Sequence, residues 1–408
     1  MAPSSMSKTA SPSWIIPAVL MLASTVGMLA TDLYVPSLPT LTEVFAASPE
    51  TIQLTMTLNL AGFAVGQLFF GPLSDRFGRR TAMLLGLSLF CVAALGCALA
   101  WSAEALIVAR ILLGLTGACE AVIGMAVIKE LYGEEKGVKI VAIYAMVIAA
   151  APAVGPLLGG QMLVHFGWAS NFWLLLAMAL LTLAAVWRFL METAVPDITA
   201  LHPRRLLAET RLCLSVPAFW LYTIGPAASL GAIFAWITEG PFILIQQLGI
   251  PPDNFGYYQA MLVGSFFVTN LIVNRVADDV SGHLLLRLGT VAAITGACLT
   301  LSLVATDTLV AWNLGAAVSF FGMSTGLIYA VAPLKALAST KAATGIAASW
   351  RGFLEMSGAM LGSAGIVALH DGTPWPLAIV LAGCAVVILI GDLGARLIEP
   401  KAANLEST

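Results

Sequence analysis

Six charged side chains lie deep inside long apolar runs of the sequence: Asp32, Arg110, Glu120, Glu239, Arg351 and Glu355. A charge at the centre of a lipid bilayer costs at least about 3 kcal/mol, so such groups usually face a polar cavity and take part in function. A carboxyl group held away from water can keep a proton in one conformation and release it in another, and a nearby guanidinium tunes that exchange. These residue types therefore predict proton exchange, or the binding of a charged ligand, inside a membrane.

The composition of the chain supports a membrane setting for these charges. Only 10% of the 408 residues are charged, 59% are hydrophobic and the mean hydropathy is +0.94, whereas soluble domains carry about 25% charged residues. Soluble enzymes and disordered chains are excluded on this ground. The net charge of −3, without a large basic cluster, argues against nucleic-acid binding. The Cys and His residues lack the spacing of a metal site, so we expect no bound metal.

Apolar runs of about 20 residues, each long enough for one helix to cross a bilayer, occur twelve times in the sequence. We therefore predict an all-α membrane protein with twelve transmembrane helices. The predicted spans are about 14–36, 51–71, 81–101, 105–127, 139–163, 168–190, 217–246, 254–275, 284–304, 309–334, 343–368 and 375–396.

Apart from Arg110 and Arg351, which lie within spans, the Lys and Arg residues occur on one side of the predicted spans only. The connections of one side hold the basic residues, whereas those of the other side hold acidic residues without Lys or Arg, such as Glu43, Glu50 and Asp371. Basic loops stay in the cytoplasm. We therefore predict a multi-pass protein in the lipid bilayer with both termini in the cytoplasm.

A polar, proline-containing segment separates the spans into two sets of six. We predict an N-terminal six-helix bundle, a cytoplasmic linker, a C-terminal six-helix bundle and a cytoplasmic tail, over residues 1–191, 192–214, 215–400 and 401–408. A shift of 203 positions (278 − 75) places Asp75 on Asp278 and Gly86 on Gly289. Such internal repeats are common in secondary transporters.

The run GPLSDRFGRR over residues 71–80 follows the second span. Its glycines allow a tight turn, and its aspartate can pair with arginines or cap a helix. We predict a polar latch between spans that must separate, formed by Gly71, Asp75, Arg76, Gly78, Arg79 and Arg80. In the fifth span, Gly155, Pro156 and Gly159 predict a flexible seam between the two halves. Close packing of small residues is the alternative interpretation of that span.

The run over 71–80 resembles the G-x-L-x-D-R-x-G-R-R/K loop of the major facilitator superfamily. ARILLG over 109–114 is similar to the span-four signature of that family, and APAVGPLLGG over 151–160 to the span-five signature of its drug:proton antiporters. TDLYVPSLP over 31–39 resembles the end of span one in the bicyclomycin and chloramphenicol/florfenicol exporters. PAFWLYT at 217–223 and TPWP at 373–376 resemble the chloramphenicol-exporter branch. The resemblance covers nearly all of both halves.

The resemblance implies two bundles related by a pseudo-two-fold axis, in a bacterial inner-membrane antiporter that works as a monomer by alternating access. It also implies that spans one and four face one cavity. Asp32 is then expected to be the main proton carrier, with Arg110 tuning it and Glu120 taking part. A purely structural Asp32–Arg110 pair is the alternative. The sequence has no GxxxxGK[ST] nucleotide motif, so we expect the proton gradient to supply the energy, without a cofactor.

Glu120, Glu239, Arg351 and Glu355 depart from the pattern of the related exporters. Four acids against two bases inside the membrane leave a surplus of negative charge, which protons or a cationic group must compensate. We therefore expect an amphipathic, cationic or zwitterionic drug as substrate. The expected substrate-binding residues are Asp32, Glu120, Glu239, Arg351, Glu355, Trp236, Trp350, Tyr144, Phe63 and Asn59. For each aromatic residue, helix packing is an equally good interpretation.

The sequence is also compatible with functions other than drug export. A dedicated exporter of a polar zwitterionic metabolite, or of a metallophore such as a siderophore, is the main alternative. A proton symporter is less favoured, because the span-five pattern points to antiport. An intramembrane enzyme is disfavoured because the sequence has no Gly-x-Ser-x-Gly elbow. A channel is disfavoured because the charges form no ring.

Overall fold

The computed structural model describes residues 14–197, 199–276 and 279–405, and these ranges are helical without strands. The first half contains α1 (Ile15–Asp32), α2 (Leu38–Val44), α3 (Pro49–Phe77), α4 (Arg79–Ala98), α5 (Ala103–Phe166) and α6 (Ala169–Phe189). After the linker helix α7 (Pro203–Leu214), the second half contains α8 (Pro217–Pro241), α9 (Phe255–Val276), α10 (Gly282–Ala305), α11 (Ala311–Tyr329), α12 (Ala332–Ala338), α13 (Thr344–Leu369) and α14 (Trp375–Leu405).

The longest helical segment, α5, covers 64 residues, where the sequence predicts two spans. Its two arms are nevertheless antiparallel, because the Tyr144 hydroxyl lies 3.0 Å from the point where Gly124 would carry a β-carbon. On one straight helix these residues would be about 30 Å apart. Eleven helical segments of the described residues are long and apolar enough to cross a membrane. The second arm of α5 completes the predicted twelve.

Three helix boundaries differ from the sequence prediction. Helix α3 continues to Phe77, so Gly71 lies within a helix and only Gly78, at φ +91°, forms the turn to α4. The predicted linker contains a helix of its own, α7, which begins with Pro203 at its first turn. Helix α14 continues to Leu405, beyond the predicted start of the tail at 401. Asp278, the expected counterpart of Asp75, and residues 406–408 lie outside the described residues.

The two ends of the helix bundle contain different loops and connections. One end, which we call the linker face, contains the turn at Gly78, the linker and the start of α13. There the Asp197 amide donates a hydrogen bond to the Asp75 carbonyl (2.9 Å), which joins the linker to α3. The far face carries the loops at 45–48, 248–254 and 370–374, where the Gln247 amide donates to the Gly372 carbonyl (3.2 Å).

Glycines bring the helices of the first half into close contact. A β-carbon on Gly62 would overlap the Ile111 carbonyl of α5, and one on Gly114 would overlap the Asn59 carbonyl of α3. Lipid tails are as apolar as leucine, so helix association in a membrane depends on such close van der Waals packing. Gly62 and Gly114 therefore set the separation of α3 and the first arm of α5.

We expect Gly114→Ala to lower the thermal unfolding midpoint of the purified protein, because the added methyl group has no room at this crossing. Overpacking of this kind costs about 1–3 kcal/mol. Gly383→Ala in α14 is the matched control, since a β-carbon at that position would have no other atom within 4 Å. The control should keep or slightly raise the midpoint, because alanine is the better helix former. Equal midpoints for both variants would contradict this account of the crossing.

The two halves meet along α3 and α13, and between α5 and α9. The hydroxyls of Thr57 (α3) and Thr238 (α8) both hydrogen-bond to Ser363 of α13, at 2.7 and 2.8 Å. At the far face, a β-carbon on Gly160 would lie 2.5 Å from the Pro252 carbonyl. These contacts close the far face in this conformation.

Candidate functional site

Arg110 lies at the centre of a buried polar site in the first half. Its side chain is 0% exposed, and its guanidinium donates to the carbonyls of Ala30 (2.5 Å) and Thr55 (3.5 Å). The guanidinium also lies 4.0 Å from the centre of the Tyr34 ring, an attractive cation–π arrangement. Its Nη2 atom has no hydrogen-bond partner. Arg110 therefore retains one donor for a further acceptor.

Asp32 occupies the last turn of α1, close to Arg110. Asp32 is 3% exposed. A β-carbon on Gly155 of α5 would lie 2.9 Å from the Asp32 β-carbon. The hydrogen bonds of Arg110 go to backbone carbonyls rather than to the Asp32 carboxyl group. The guanidinium thus acts on Asp32 through space, without a direct ion pair. Asp32 is free to change its protonation without breaking a bond to Arg110.

Glu120 extends from the first arm of α5 towards α1. It is 1% exposed, and both carboxyl oxygens are buried without a hydrogen-bond partner. Gly27 makes room for it, since a β-carbon there would lie 2.5 Å from Glu120 Oε2. An ionised carboxylate without a partner in such a place costs several kcal/mol. The surroundings fit a neutral, protonated group, and the negative charge can form only if protein or ligand brings a partner.

Three further residues expected near the substrate are buried between helices of the first half. The Tyr144 hydroxyl forms a short hydrogen bond with Ser24 of α1. The Asn59 amide donates to the Arg110 carbonyl (2.8 Å). Phe63 is 8% exposed and packs in the apolar core of the first half. In this conformation these side chains lie between helices of the first half.

In the second half, Arg351 and Glu355 form an ion pair one helical turn apart on α13. The Arg351 side chain is 23% exposed and that of Glu355 is 7% exposed. The Arg351 Nε atom has no hydrogen-bond partner. This pair, which the sequence spacing predicts, therefore has a partly exposed cationic member whose Nε donor is buried without a partner.

Trp350, next to this pair, contacts the linker. Its indole nitrogen donates to the Thr210 hydroxyl of α7 (2.9 Å), and the carboxylate of Glu209, also in α7, accepts from the Ala343 amide at the start of α13 (2.8 Å). Trp350 therefore fixes α13 to the linker helix in this conformation, rather than facing an open cavity.

Trp236 and Glu239 lie in α8 and are both 0% exposed. The Trp236 indole donates to Gln259 of α9 (2.8 Å) and stacks on Phe255 with ring centres 6.4 Å apart. Glu239 contacts Gln53 of α3, and its carboxylate accepts from the Gln53 amide at 2.6 Å. Glu239 thus joins the two halves at the far face, and Trp236 packs within the second half.

The turn at 76–80 is bound on several sides at the linker face. Arg79 pairs with Asp75 (2.6 Å) and with Glu130 of α5 (2.9 Å). The amides of Arg79 and Arg80, at the start of α4, donate to the Glu192 carboxylate (2.6 and 3.2 Å), which is a favourable place for a negative charge. The two ion pairs of Arg79 lie within the first half, and the Glu192 carboxylate joins this turn to the linker. The role of these residues as a latch stays a prediction.

Other predicted gating residues lie at or near this turn. The Arg76 guanidinium lies 5.5 Å from the Phe77 ring centre. A β-carbon on Gly71 would lie 3.0 Å from the Ser349 hydroxyl of α13, so Gly71 allows close packing between halves. Beyond the turn, hydrogen bonds from Thr199 and Arg205 lower the pKa of Asp197 to about 2. The Asp197–Arg205 contact (2.6 Å) therefore stays ionised at physiological pH.

The second arm of α5 places its small residues against α1 and the second half. A β-carbon on Gly159 would overlap the Leu33 carbonyl, and Gly155 packs on Asp32. Pro156 lies inside the helix and is buried. This face is therefore closely packed, and it connects the site at Asp32 with the contact between Gly160 and the second half.

Two residues of the far face were missed by the sequence analysis, namely Gln53 and His370. The signal available was the absence of Lys and Arg from the connections on that side, which leaves a histidine as the basic partner of an acid there. Within the described residues, no group of three or more His, Cys, Asp or Glu side chains is placed to hold a metal ion.

A family model of the Major Facilitator Superfamily matches residues 20–363. The chain belongs to this superfamily. It is thus a multi-pass membrane transporter of small molecules and not an enzyme, and the twelve-helix fold predicted from the sequence is confirmed.

Several curated members of the superfamily are similar along most of this chain. The chloramphenicol resistance protein of Pseudomonas aeruginosa is 32% identical over 396 residues, 94% of this chain and 92% of the relative. A bicyclomycin resistance protein homologue of Haemophilus influenzae is 28% identical, covering 88% and 90%. The multidrug transporter MdfA of Yersinia pestis is 30% identical, covering 69% of each chain. The resemblance to drug-exporting members is confirmed.

Solved structures of the superfamily share the fold at low sequence identity. The D-xylose–proton symporter superposes with a TM-score of 0.70 at 16% identity, covering 93% of this chain and 97% of that one. An inward-facing bacterial homologue of the human lysosomal transporter Spinster gives 0.68 at 14% identity, covering 95% and 98%. These similarities support the arrangement of helices described above.

Proposed function

We propose that this transporter is a proton-coupled antiporter that exports small amphipathic drugs by alternating access. The observation that carries the proposal is the site at Asp32: a buried carboxyl group beside a buried guanidinium, with no direct bond between them. The names of the relatives, which include chloramphenicol, bicyclomycin and multidrug resistance, support a drug as cargo.

The expected cycle uses the opposing effects on Asp32. Burial favours its neutral form and the Arg110 guanidinium favours its anion, so small changes of packing shift the balance. With the far face closed, a substrate entering from the linker face displaces the proton. When the halves rock and the far face opens, Asp32 takes up a proton from that side as the substrate leaves. The proton gradient supplies the energy, and no cofactor takes part.

The cavity charges are expected to favour cationic or zwitterionic substrates. Arg351 already pairs with Glu355, and Glu239 is bound at the far face. Both carboxyl oxygens of Glu120 are buried without a hydrogen-bond partner, so it is the residue we assign to a cationic group. Because its oxygens are buried in this conformation, α1 and α5 must separate slightly before a substrate contacts it. Arg351 is available to a substrate carboxylate.

The proposed setting is a bacterial inner membrane with the linker face in the cytoplasm. The basic residues of the linker and of the turn at 76–80 lie on this face, as the positive-inside rule requires. Both termini are then cytoplasmic, and each monomer forms one transport unit.

A ligand-stabilisation screen on the purified protein tests the substrate class. Neutral amphenicols, monovalent lipophilic cations and zwitterions of similar size are compared by the shift of the unfolding midpoint. We expect the cations and zwitterions to stabilise most, and Glu120→Gln to lose the cation effect because it removes the unpaired acid. Asp253→Asn, at the far-face loop, is the control. Stabilisation by neutral amphenicols alone would overturn the proposed charge preference.

The partly exposed Arg351, paired with an acid, also suits a zwitterion and favours a second candidate function. The protein would then export one polar zwitterionic metabolite or a metallophore. Stabilisation by zwitterions alone, with no response to lipophilic cations, would favour this candidate over drug export.

A further inference from the structure

Glu239, Gln53 and His370 form a buried cluster between the two halves at the far face. Glu239 Oε2 accepts from Gln53 Nε2 (2.6 Å) and lies 3.4 Å from His370 Nδ1. Glu239 and Gln53 are each 0% exposed, and the His370 side chain is 7% exposed. Gln53 belongs to α3, whereas Glu239 and His370 belong to the second half. The contact therefore exists only while the far face is closed.

Among the described residues, the charged neighbours of His370 are acidic. Glu50, Glu239 and Asp371 act on it electrostatically, and the Phe242 ring contacts its edge at 6.1 Å between ring centres. The sequence has no Lys or Arg between 33 and 75, 212 and 274, or 352 and 395, which are the stretches that supply the elements of this cluster. His370 is thus the basic group that can neutralise Glu239 here.

Closing the far face places a carboxylate at 0% exposure, and its other oxygen, Oε1, has no hydrogen-bond partner. A buried carboxylate with no compensating charge costs several kcal/mol. A proton shared by the Glu239–His370 pair removes this cost, whether it resides on the imidazole or on the carboxyl group. When the halves separate, Gln53 leaves and water solvates both groups, so the proton is no longer required.

We propose that the Glu239–His370 pair is a second proton-binding site of this transporter, which takes up a proton from the far-face solution as that face closes. The proton moves from water to the pair on closing and returns to water on opening. The site is distinct from Asp32, which lies in the first half. The role of this second site in transport rests on the proposed antiport function. The uptake of a proton when the far face closes does not depend on that function.

The sign of the pH dependence follows from the cluster. The hydrogen bond to the Glu239 carboxylate raises the pKa of His370 in the closed conformation. Closure is therefore favoured at low pH on the far face, and this advantage is lost as the pH rises through the raised pKa. For one proton, the closed-to-open ratio changes by up to about tenfold per pH unit within that window. In an antiporter, entry of protons on this side would thus promote closure.

The test measures the opening of the far face against pH by distance between two spin labels, without substrate. Labels are placed at Val44 of α2 and Gln246 after α8, which are both exposed and lie in opposite halves. The exposed Cys298 and half-buried Cys384 are first replaced by serine. The pH is varied from about 5 to 8, the range in which a histidine titrates.

We expect the closed distance to gain population as the pH falls, by up to about tenfold per unit. In the Glu239→Gln variant, the far face should stay closed at every pH, because the new amide is neutral and its oxygen can still accept a hydrogen bond from Gln53. His370→Gln should shift the response to lower pH, since only the carboxyl group can then take the proton. His165→Gln is the matched control, because His165 is exposed at the end of α5, and it should behave as the native protein.

An unchanged native pH response in Glu239→Gln overturns the proposal, as does a native distance distribution that does not depend on pH. Loss of the response in His165→Gln overturns it as well. Asp32→Asn separates this result from the proposed function: it should stop coupled efflux but keep the pH-dependent distance. If Asp32→Asn exports normally while the distance still responds, the antiport mechanism fails and the second proton site stands.

Discussion

Replacing Asp32 by asparagine is expected to abolish proton-driven efflux while leaving the protein folded and able to bind substrate. Asparagine keeps the size of the side chain but can neither bind nor release a proton. Coupled efflux should fall to the level of protein-free liposomes, because the ionisable member of the Asp32–Arg110 site becomes permanently neutral. Stability should be kept or improved, since the substitution removes the cost of burying an ionisable group that makes no ion pair.

The measurement is substrate-dependent proton movement in proteoliposomes with an imposed pH gradient. Asp392→Asn is the matched control, because Asp392 is also a buried acid (7% exposed) but pairs with Arg396 of its own helix. The control should still couple transport to the gradient. Proton-driven efflux by Asp32→Asn at the native rate would refute the role of Asp32. Substrate binding by that variant, measured by ligand stabilisation, shows that the lost step is coupling rather than recognition.

The largest effect on stability is expected from removing Arg351 alone. Arg351→Gln leaves Glu355, which is 7% exposed, without its cation inside the membrane. Breaking a buried ion pair on one side costs about 3 kcal/mol or more. Glu355→Gln should cost less, because the guanidinium is 23% exposed and can reach water. The double variant Arg351→Gln/Glu355→Gln should recover much of the loss, since no charge remains unpaired.

These variants also separate structure from transport. Thermal unfolding gives the coupling between the two residues through a double-mutant cycle, and efflux assays give their role in transport. We expect the double variant to be stable yet defective with zwitterionic substrates, because it lacks the Arg351 cation. The Asp392–Arg396 pair has the same spacing on α14 and provides the control. Its double variant, Asp392→Asn/Arg396→Gln, should be stable and export normally. Full efflux of zwitterions by the Arg351/Glu355 double variant would remove Arg351 from the substrate site.

Hydropathy was sufficient to predict the transmembrane architecture, because a helix must satisfy its own backbone hydrogen bonds in lipid and so needs a long apolar run. The boundaries were harder to predict. Polarity suggests a loop from Gly71 onward, but α3 continues through it to Phe77. Likewise the polar linker forms α7. In both places, contacts with neighbouring helices stabilise structure that the composition alone does not favour.

In the candidate site, too, some features could be predicted from the sequence and others could not. The rarity of charge inside apolar runs identified Asp32, Arg110 and Glu120, and the spacing of four residues predicted the Arg351–Glu355 pair, since that contact is local to one helix. Glu239 was also identified, but its partner was not. The contact with Gln53 joins residues that are 186 positions apart, and no periodicity within one helix can predict such a pair.

By itself, then, the sequence determined that this is a twelve-helix membrane protein, which of its residues carry charge into the bilayer, and that the motifs of a transporter family are present. Helical spacing predicted the Arg351–Glu355 pair, but only the tertiary structure decided what surrounds the acids that have no local partner. Glu239 contacts Gln53 and His370, whereas both carboxyl oxygens of Glu120 lack a hydrogen-bond partner. The physical reason is that apolarity and helical spacing act along the chain, whereas compensation of a buried charge depends on which helices pack together across the two halves.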